Sequence, residues 1–201
     1  MTTRPEPFVY LASASPRRRE LLAQLGIACE VLRTEVDETP LAGESPDDLV
    51  CRLAAAKARA AMAMPRSRKG PVVAADTVVA LAGEIFGKPA DEADALRILG
   101  RLAGRTHEVW TAVAIADDER ERVELSRSEV TFRAMDPDEA RAYWQSGEPA
   151  DKAGAYAIQG LGAVFIAGLK GSYTGVMGLP LFETARLLEL FDCRVLEGPR
   201  P

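Results

Sequence analysis

The chain has 201 residues, of which 47% are hydrophobic and 27% charged, and its formal net charge is −5. It is long enough to bury one sizeable core, or two lobes sharing one, and its acidic balance argues against the extended basic face that nucleic-acid or membrane-surface binding requires. Three widely spaced cysteines, Cys29, Cys51 and Cys193, match neither a zinc pattern nor a disulfide framework and point to a reduced, cytoplasmic setting.

Residues 1–7 read as a disordered lead-in. The apolar run 8–12 is too short for a membrane span, and its arginines follow it rather than precede it, unlike a secretory signal. It reads instead as a buried strand running into Ser13-Ala14-Ser15-Pro16-Arg17-Arg18-Arg19 and then a helical pattern over 20–25. Pro16 suits the first helical position and Ser15 the N-cap. A helix start offers free N–H groups and the positive end of the dipole, so three arginines there predict a phosphate site; the alternative is a solvated basic patch beside an ordinary cap.

Gly26 closes that helix. Residues 27–33 predict a strand and 34–40 an acidic loop carrying Glu38. Ser45-Pro46-Asp47-Asp48 opens an Ala-rich helix running towards Met64, with Leu49 and Leu53 on one face. After a polar stretch, Val72–Leu81 predicts a buried strand interrupted by Asp76-Thr77. Residues 83–89 are a turn-rich connection, 91–102 a helix ended by Gly104, and 108–116 and 121–134 two partner strands. Asp136-Pro137-Asp138-Glu139 starts a helix to Gln145. Residues 154–160 and 163–166 read as paired strands, and 180–191 as the last helix. Alternating strands and helices give the α/β class, with antiparallel pairing in the middle.

Asp76 sits in a run of apolar strand formers, and burying a carboxylate without partners is expensive. It is either a strand-end cap or a metal ligand or general base at the bottom of a cleft. Taken singly, the other candidates have ordinary explanations: Thr77 as a β-branched strand residue, Lys88 on an exposed turn, Lys57 on a solvated helix face, Glu38 in a solvated loop. His107 is the only histidine and stands at a strand start, where a surface or capping role is expected; nucleophilic schemes built on histidine have little to use. There is no Walker A run and no GxGxxG. Taken together, the cations Arg17, Arg18, Lys57 and Lys88 with the carboxylates Glu38 and Asp76 suit metal-assisted attack on a polyphosphate.

The runs Leu11-Ala12-Ser13-Ala14-Ser15-Pro16-Arg17-Arg18, Ala75-Asp76-Thr77-Val78-Val79, Gly87-Lys88-Pro89 and Lys152-Ala153-Gly154-Ala155-Tyr156-Ala157-Ile158-Gln159-Gly160 resemble the signature blocks of the Maf family, in the family's order. Gly171-Ser172-Tyr173 followed by Val176-Met177-Gly178-Leu179-Pro180 is similar to its C-terminal block, and the likeness covers roughly residues 9–191. The resemblance implies a nucleoside triphosphate pyrophosphatase that cleaves between the α and β phosphates with a divalent metal, Mg²⁺ or Mn²⁺, and that is commonly a dimer. It also implies a mixed α/β sheet flanked by helices around a central cleft, an architecture like that of the inosine triphosphatases. On that basis residues 8–201 form a single domain of two lobes.

Carried over residue by residue, Asp76 matches the family's catalytic Asp, and Glu38 and Lys88 match positions implicated in catalysis. Glu38 and Asp76 are the metal ligands expected. The substrate-binding set is Ser13, Ser15, Arg17, Arg18, Lys57, Thr77 and Gln159, among which Arg17, Thr77 and Gln159 match positions associated with substrate choice. Asp-Thr paired with Ile-Gln-Gly, and Arg17 directly after Pro16, resemble the branch linked to dTTP and UTP, with modified pyrimidine nucleotides also in view. The branch preferring 7-methyl-GTP has Trp after Ser-Pro, Asp-Gln at the central site and Glu near position 159. Phe86 and Thr174-Gly175 depart from the family's commonest forms. Thr and Gln offer both donors and acceptors to a pyrimidine's pairing edge. The competing readings are a purine-directed or broad triphosphatase and a nucleotide-sensing regulator of septum formation; retention of Glu38, Asp76 and Lys88 together favours catalysis, because a sensor needs only the binding cations.

Overall fold

The computed structural model describes residues 7–195. Its elements are β1 (Phe8–Leu11), α1 (Pro16–Gln24), β2 (Ala28–Val31), α2 (Pro46–Met62), β3 (Val72–Leu81), β4 (Glu84–Phe86), α3 (Glu92–Leu102), β5 (Thr106–Ala116), β6 (Glu121–Phe132), α4 (Pro137–Gln145), β7 (Ile166–Lys170), α5 (Tyr173–Met177) and α6 (Leu181–Leu190). Seven strands form one sheet in the order β2-β1-β3-β5-β6-β7, with β4 paired to β3 beside that path. β1 runs parallel to β2 and β3, and the remaining pairs are antiparallel. The mixed sheet flanked by helices is therefore the architecture expected.

The helix starts follow their sequence signals. The Ser45 side chain accepts from the Asp48 N–H at the head of α2, and Asp136 and Glu139 form a reciprocal capping box at α4. Two expectations about strands fail. Within 83–89 a short strand, β4, was not foreseen; the Ala82-Gly83 turn has positive φ at both residues, 51° and 84°, the geometry that closes a tight hairpin back onto β3. The paired strands expected at 154–160 and 163–166 are absent. Short 3₁₀ turns at Ala153–Ala155 and Leu161–Phe165 stand there instead, and the next strand is β7. The reason is that side chains, not a neighbouring strand, take the amides of this stretch: Ala157 N–H donates to Tyr143 Oη, and Leu161 and Gly162 N–H to the Glu148 carboxylate.

Strand alternation divides the core. Val72, Ala74 and Val78 of β3 pack beneath α2 with Leu49 and Leu53, whereas Val73 and Ala75 face the other way, onto Leu21 and Leu22 of α1 and Leu187 and Leu188 of α6. A third cluster joins Val79 of β3 to Phe86, Ile98, Leu99, Phe132 and Phe165. The same alternation sends Asp76 to the α2 face and Thr77 to the opposite one. His107 belongs to the interior, contrary to expectation. It is 1% exposed, its Nε2 lies 2.9 Å from Tyr156 Oη, its ring stacks edge-on against Phe132, and burial lowers its pKa to about 4. A strand start does not say whether the face a side chain takes is covered, and here the Tyr156 and Phe132 rings cover it.

Candidate active site

A cleft of about 850 Å³ opens where the end of β1, the middle of β3, the loop around Glu38, the Gly87-Lys88 turn and the 151–159 segment meet. It is lined by Ser13, Ser15, Arg17, Arg18, Glu38, Lys57, Asp76, Thr77, Lys88 and Gln159, so every site residue expected from the sequence borders one cavity. The Gly154 N–H donates to the Gly87 carbonyl at 3.0 Å and ties the Lys88 turn to the Gln159 segment.

Asp76 is the buried carboxylate of the cleft, with 9% of its side chain exposed. Its partner is Lys57, one turn beyond Leu53 on the buried face of α2. The Lys57 Nζ donates to Asp76 Oδ1 at 2.6 Å and pairs with Glu38 Oε1 at the same 2.6 Å. The solvated-face explanation of Lys57 is thus overturned: its side chain is 12% exposed and spans two carboxylates. Burial pushes Asp76 above its ordinary pKa, against the pull of Lys57 and Arg18, and the Glu38 charge adds to the rise. Glu38 is affected in the opposite sense: burial opposes ionisation, but the Lys57 hydrogen bond and charge, with Lys88 and Arg18, prevail and lower its pKa. Two carboxylates on one ammonium therefore differ in character, the deeper one being the readier proton acceptor.

Lys88 is exposed at the mouth of the cleft and holds no ion pair or hydrogen bond among the described residues. At the arginine turn, Pro16 takes the first helical position as expected, but Ser15 does not cap with its side chain. Its own N–H donates instead to Ser13 Oγ at 3.2 Å. The first-turn amides of α1 thus have no side-chain acceptor and border the cleft. Arg17 lies 4.0 Å from Asp151, and Arg19 is exposed. Arg18 is tied inward: Nε donates to the Gly178 carbonyl at 2.8 Å, Nη1 to Ser13 Oγ at 3.2 Å and Nη2 to Thr77 Oγ1 at 3.3 Å.

Thr77 stands directly opposite Thr111 in the β3–β5 register, and their hydroxyl oxygens are 3.0 Å apart. Thr111 Oγ1 also lies 2.8 Å from the Gly175 carbonyl, which can only accept. Thr111 is the donor in both contacts, its one proton shared between Thr77 and the Gly175 carbonyl, so Thr77 Oγ1 accepts from Thr111 and from Arg18. Gln159 is exposed on a turn, not at a strand end, with its amide making no hydrogen bond to the described residues. It does not cap the turn around Gly160.

Sequence reasoning did not single out Thr111, Asp151, Lys152 or Tyr156. Lys152 and Tyr156 lie inside a recognised block, but Thr111 carries no local signal and is found only through its register with Thr77. The residues that could hold a divalent ion are Glu38 and Asp76, hard oxygens drawn together by Lys57. No group of three or more His, Cys, Asp or Glu side chains suited to a metal occurs among the described residues. Two carboxylates suit Mg²⁺, which commonly takes one or two protein carboxylates and completes its shell with water and phosphate oxygens.

The family model described as Maf-like protein matches residues 8–191. The chain is similar to the dTTP/UTP pyrophosphatase of Saccharophagus degradans, 50% identical over 195 residues covering 96% of this chain and 93% of that protein. It is 53% identical to the dTTP/UTP pyrophosphatase of Aromatoleum aromaticum over 195 residues, 91% of this chain and 95% of that one. The same name is carried by a Methylococcus capsulatus protein 53% identical over 196 residues, 96% of each chain. Among solved structures, the Staphylococcus aureus Ham1 protein matches with a TM-score of 0.44 and 17% identity, over 62% of this chain and 71% of that one.

Proposed function

The chain belongs to the Maf-like protein family, and from that membership we propose that it hydrolyses the pyrimidine nucleoside triphosphates dTTP and UTP to a nucleoside monophosphate and pyrophosphate. The observation that carries this reading is the Glu38–Lys57–Asp76 cluster facing the uncapped, arginine-bearing start of α1 across one cleft. Anion-holding groups and a buried proton acceptor are thereby set against each other, as hydrolysis of a phosphoric anhydride requires.

In this mechanism Arg17, Lys88 and the first-turn amides of α1 hold the phosphate chain. Asp76 takes a proton from water as the water oxygen bonds to the α-phosphorus. The bond from that phosphorus to the bridging oxygen breaks, and pyrophosphate leaves with its charge held by Lys88 and Arg17. Lys57 keeps Asp76 ionised enough to act and keeps Glu38 beside it. Mg²⁺ or Mn²⁺, held by Glu38 and Asp76, would supply charge neutralisation on the phosphate oxygens. Thr77 and Gln159 face the base. The reading includes a cytoplasmic homodimer; no helix among the described residues is long and apolar enough to cross a membrane.

The test is a panel of dTTP, UTP, CTP, ATP and GTP with product identification. Nucleoside monophosphate and pyrophosphate from dTTP and UTP, at higher kcat/KM than from the purines, is the expected result. Diphosphate plus inorganic phosphate, or a purine preference, overturns it. Exhaustive chelation is expected to abolish turnover and Mg²⁺ or Mn²⁺ to restore it; full activity after chelation contradicts the metal assignment.

The arginines separate in a second measurement. Arg17→Ala removes a cation that lies 4.0 Å from Asp151, and the loss of one charged hydrogen-bonding group predicts roughly a tenfold or greater fall in kcat/KM. Arg18→Ala also frees Ser13, Thr77 and the Gly178 carbonyl, so both kcat and KM should suffer. Arg19→Ala should leave kinetics close to wild type. Equal losses at all three positions would mean a diffuse basic patch.

A further inference from the structure

Beside the cleft, the buried Tyr143 and the half-buried Glu148 account for the shape of the Gln159 turn. Tyr143, 4% exposed on α4, donates from Oη to Glu148 Oε1 at 2.6 Å and accepts from the Ala157 N–H at 3.0 Å. Glu148 then receives the Leu161 N–H on Oε2 at 2.9 Å and the Gly162 N–H on Oε1 at 3.0 Å. One carboxylate and one phenol thus hold three backbone amides on both sides of Gln159. Glycine is required for the close approach. A Cβ on Gly160 would collide with the Glu148 carboxylate, and one on Gly162 would come within 2.6 Å of Tyr143 Oη.

We propose that Glu148 and Tyr143 are positioning residues that set the base preference of the site by fixing the Gln159 turn, an inference that rests on Gln159 meeting the base. Neither needs to touch the nucleotide. A carboxylate is suited to the task because it is acceptor-only and can take two amide donors and a phenol at once. Burial opposes its ionisation, but the Tyr143 hydrogen bond, the two amides and the Arg17 charge prevail and hold its pKa below the ordinary range, so the acceptor persists through neutral pH. Replacing it by Gln puts an amide NH₂ donor at one of two oxygens that both accept, and the turn must give.

The experiment measures kcat/KM for UTP and GTP in the wild type, Glu148→Gln, Tyr143→Phe and Gln159→Ala. The expected result is a fall in the UTP-to-GTP ratio of about tenfold in Glu148→Gln, the scale set by losing one oriented hydrogen bond to the base. Tyr143→Phe should move the ratio the same way, and it keeps the test decisive should Glu148→Gln fail to fold. A merely structural role lowers activity on both substrates together and leaves the ratio unchanged; that result in both variants, with the ratio altered in Gln159→Ala, overturns the positioning role while the base reading stands. An unaltered ratio in Gln159→Ala overturns the base reading, and the positioning role with it.

Discussion

Asp76→Asn is expected to lower kcat for UTP at least about a hundredfold, the low end of what removing a general base costs, while leaving the protein folded. The geometry gives both halves of that expectation. Asn has the size of Asp and can still accept from the Lys57 ammonium at the 2.6 Å site, and Lys57 retains Glu38 as its ionised partner, so no buried charge is left alone. What disappears is the proton acceptor whose pKa burial has raised. The wild-type rate should accordingly fall as the pH drops through that raised value, since only the ionised carboxylate can take a proton. Turnover close to wild type in a well-folded Asp76→Asn protein would remove Asp76 from the reaction.

Lys57→Met is expected to have the second largest effect, and on a different observable. The methionine fills the aliphatic path of Lys57 over the sheet but leaves Asp76 and Glu38 facing each other without their shared cation. Breaking a buried ion pair by removing one partner costs about 3 kcal/mol or more, and the low exposure of both side chains, 12% and 9%, justifies a value of that order here. The sign with pH follows from the direction of the Asp76 shift. With Lys57 gone its pKa rises further, so the folded state holds the proton more tightly than the unfolded chain. The stability this proton confers is complete below the unfolded pKa and is lost as the pH rises through the folded one. The deficit of Lys57→Met relative to wild type should therefore be large at pH 7 and shrink on acidification. Denaturant unfolding at a series of pH values checks this, and a deficit independent of pH would show that Lys57 acts by packing alone. The acid limb of the pH–rate profile should move to higher pH in the same variant.

Much of this site was legible in the chain because its elements are announced locally. Ser45-Pro46-Asp47-Asp48 and Asp136-Pro137-Asp138-Glu139 carry their caps in the sequence, and both helices begin where those signals stand. Asp76-Thr77 is visible because a carboxylate breaks an apolar strand. What was not legible depends on pairings between distant residues. Lys57 looks like one charge in a basic helix run until α2 is laid across β3. Thr111 is an unremarked strand residue until the register sets it opposite Thr77. His107 looked exposed because its strand start was read without the Tyr156 and Phe132 side chains that enclose it. The 154–166 stretch misled for the same reason: its small and apolar residues suit a strand, but their amides are claimed by Tyr143 and Glu148, side chains whose roles no local pattern reveals.

The central claim is that water activated at Asp76 attacks the α-phosphorus of a bound nucleoside triphosphate. Hydrolysis of UTP in ¹⁸O-labelled water, with mass analysis of both products, tests it most directly. The account predicts one labelled oxygen in uridine monophosphate and none in pyrophosphate. Label in pyrophosphate would mean attack at the β-phosphorus, and label in inorganic phosphate would mean cleavage at the γ end; either result contradicts the mechanism.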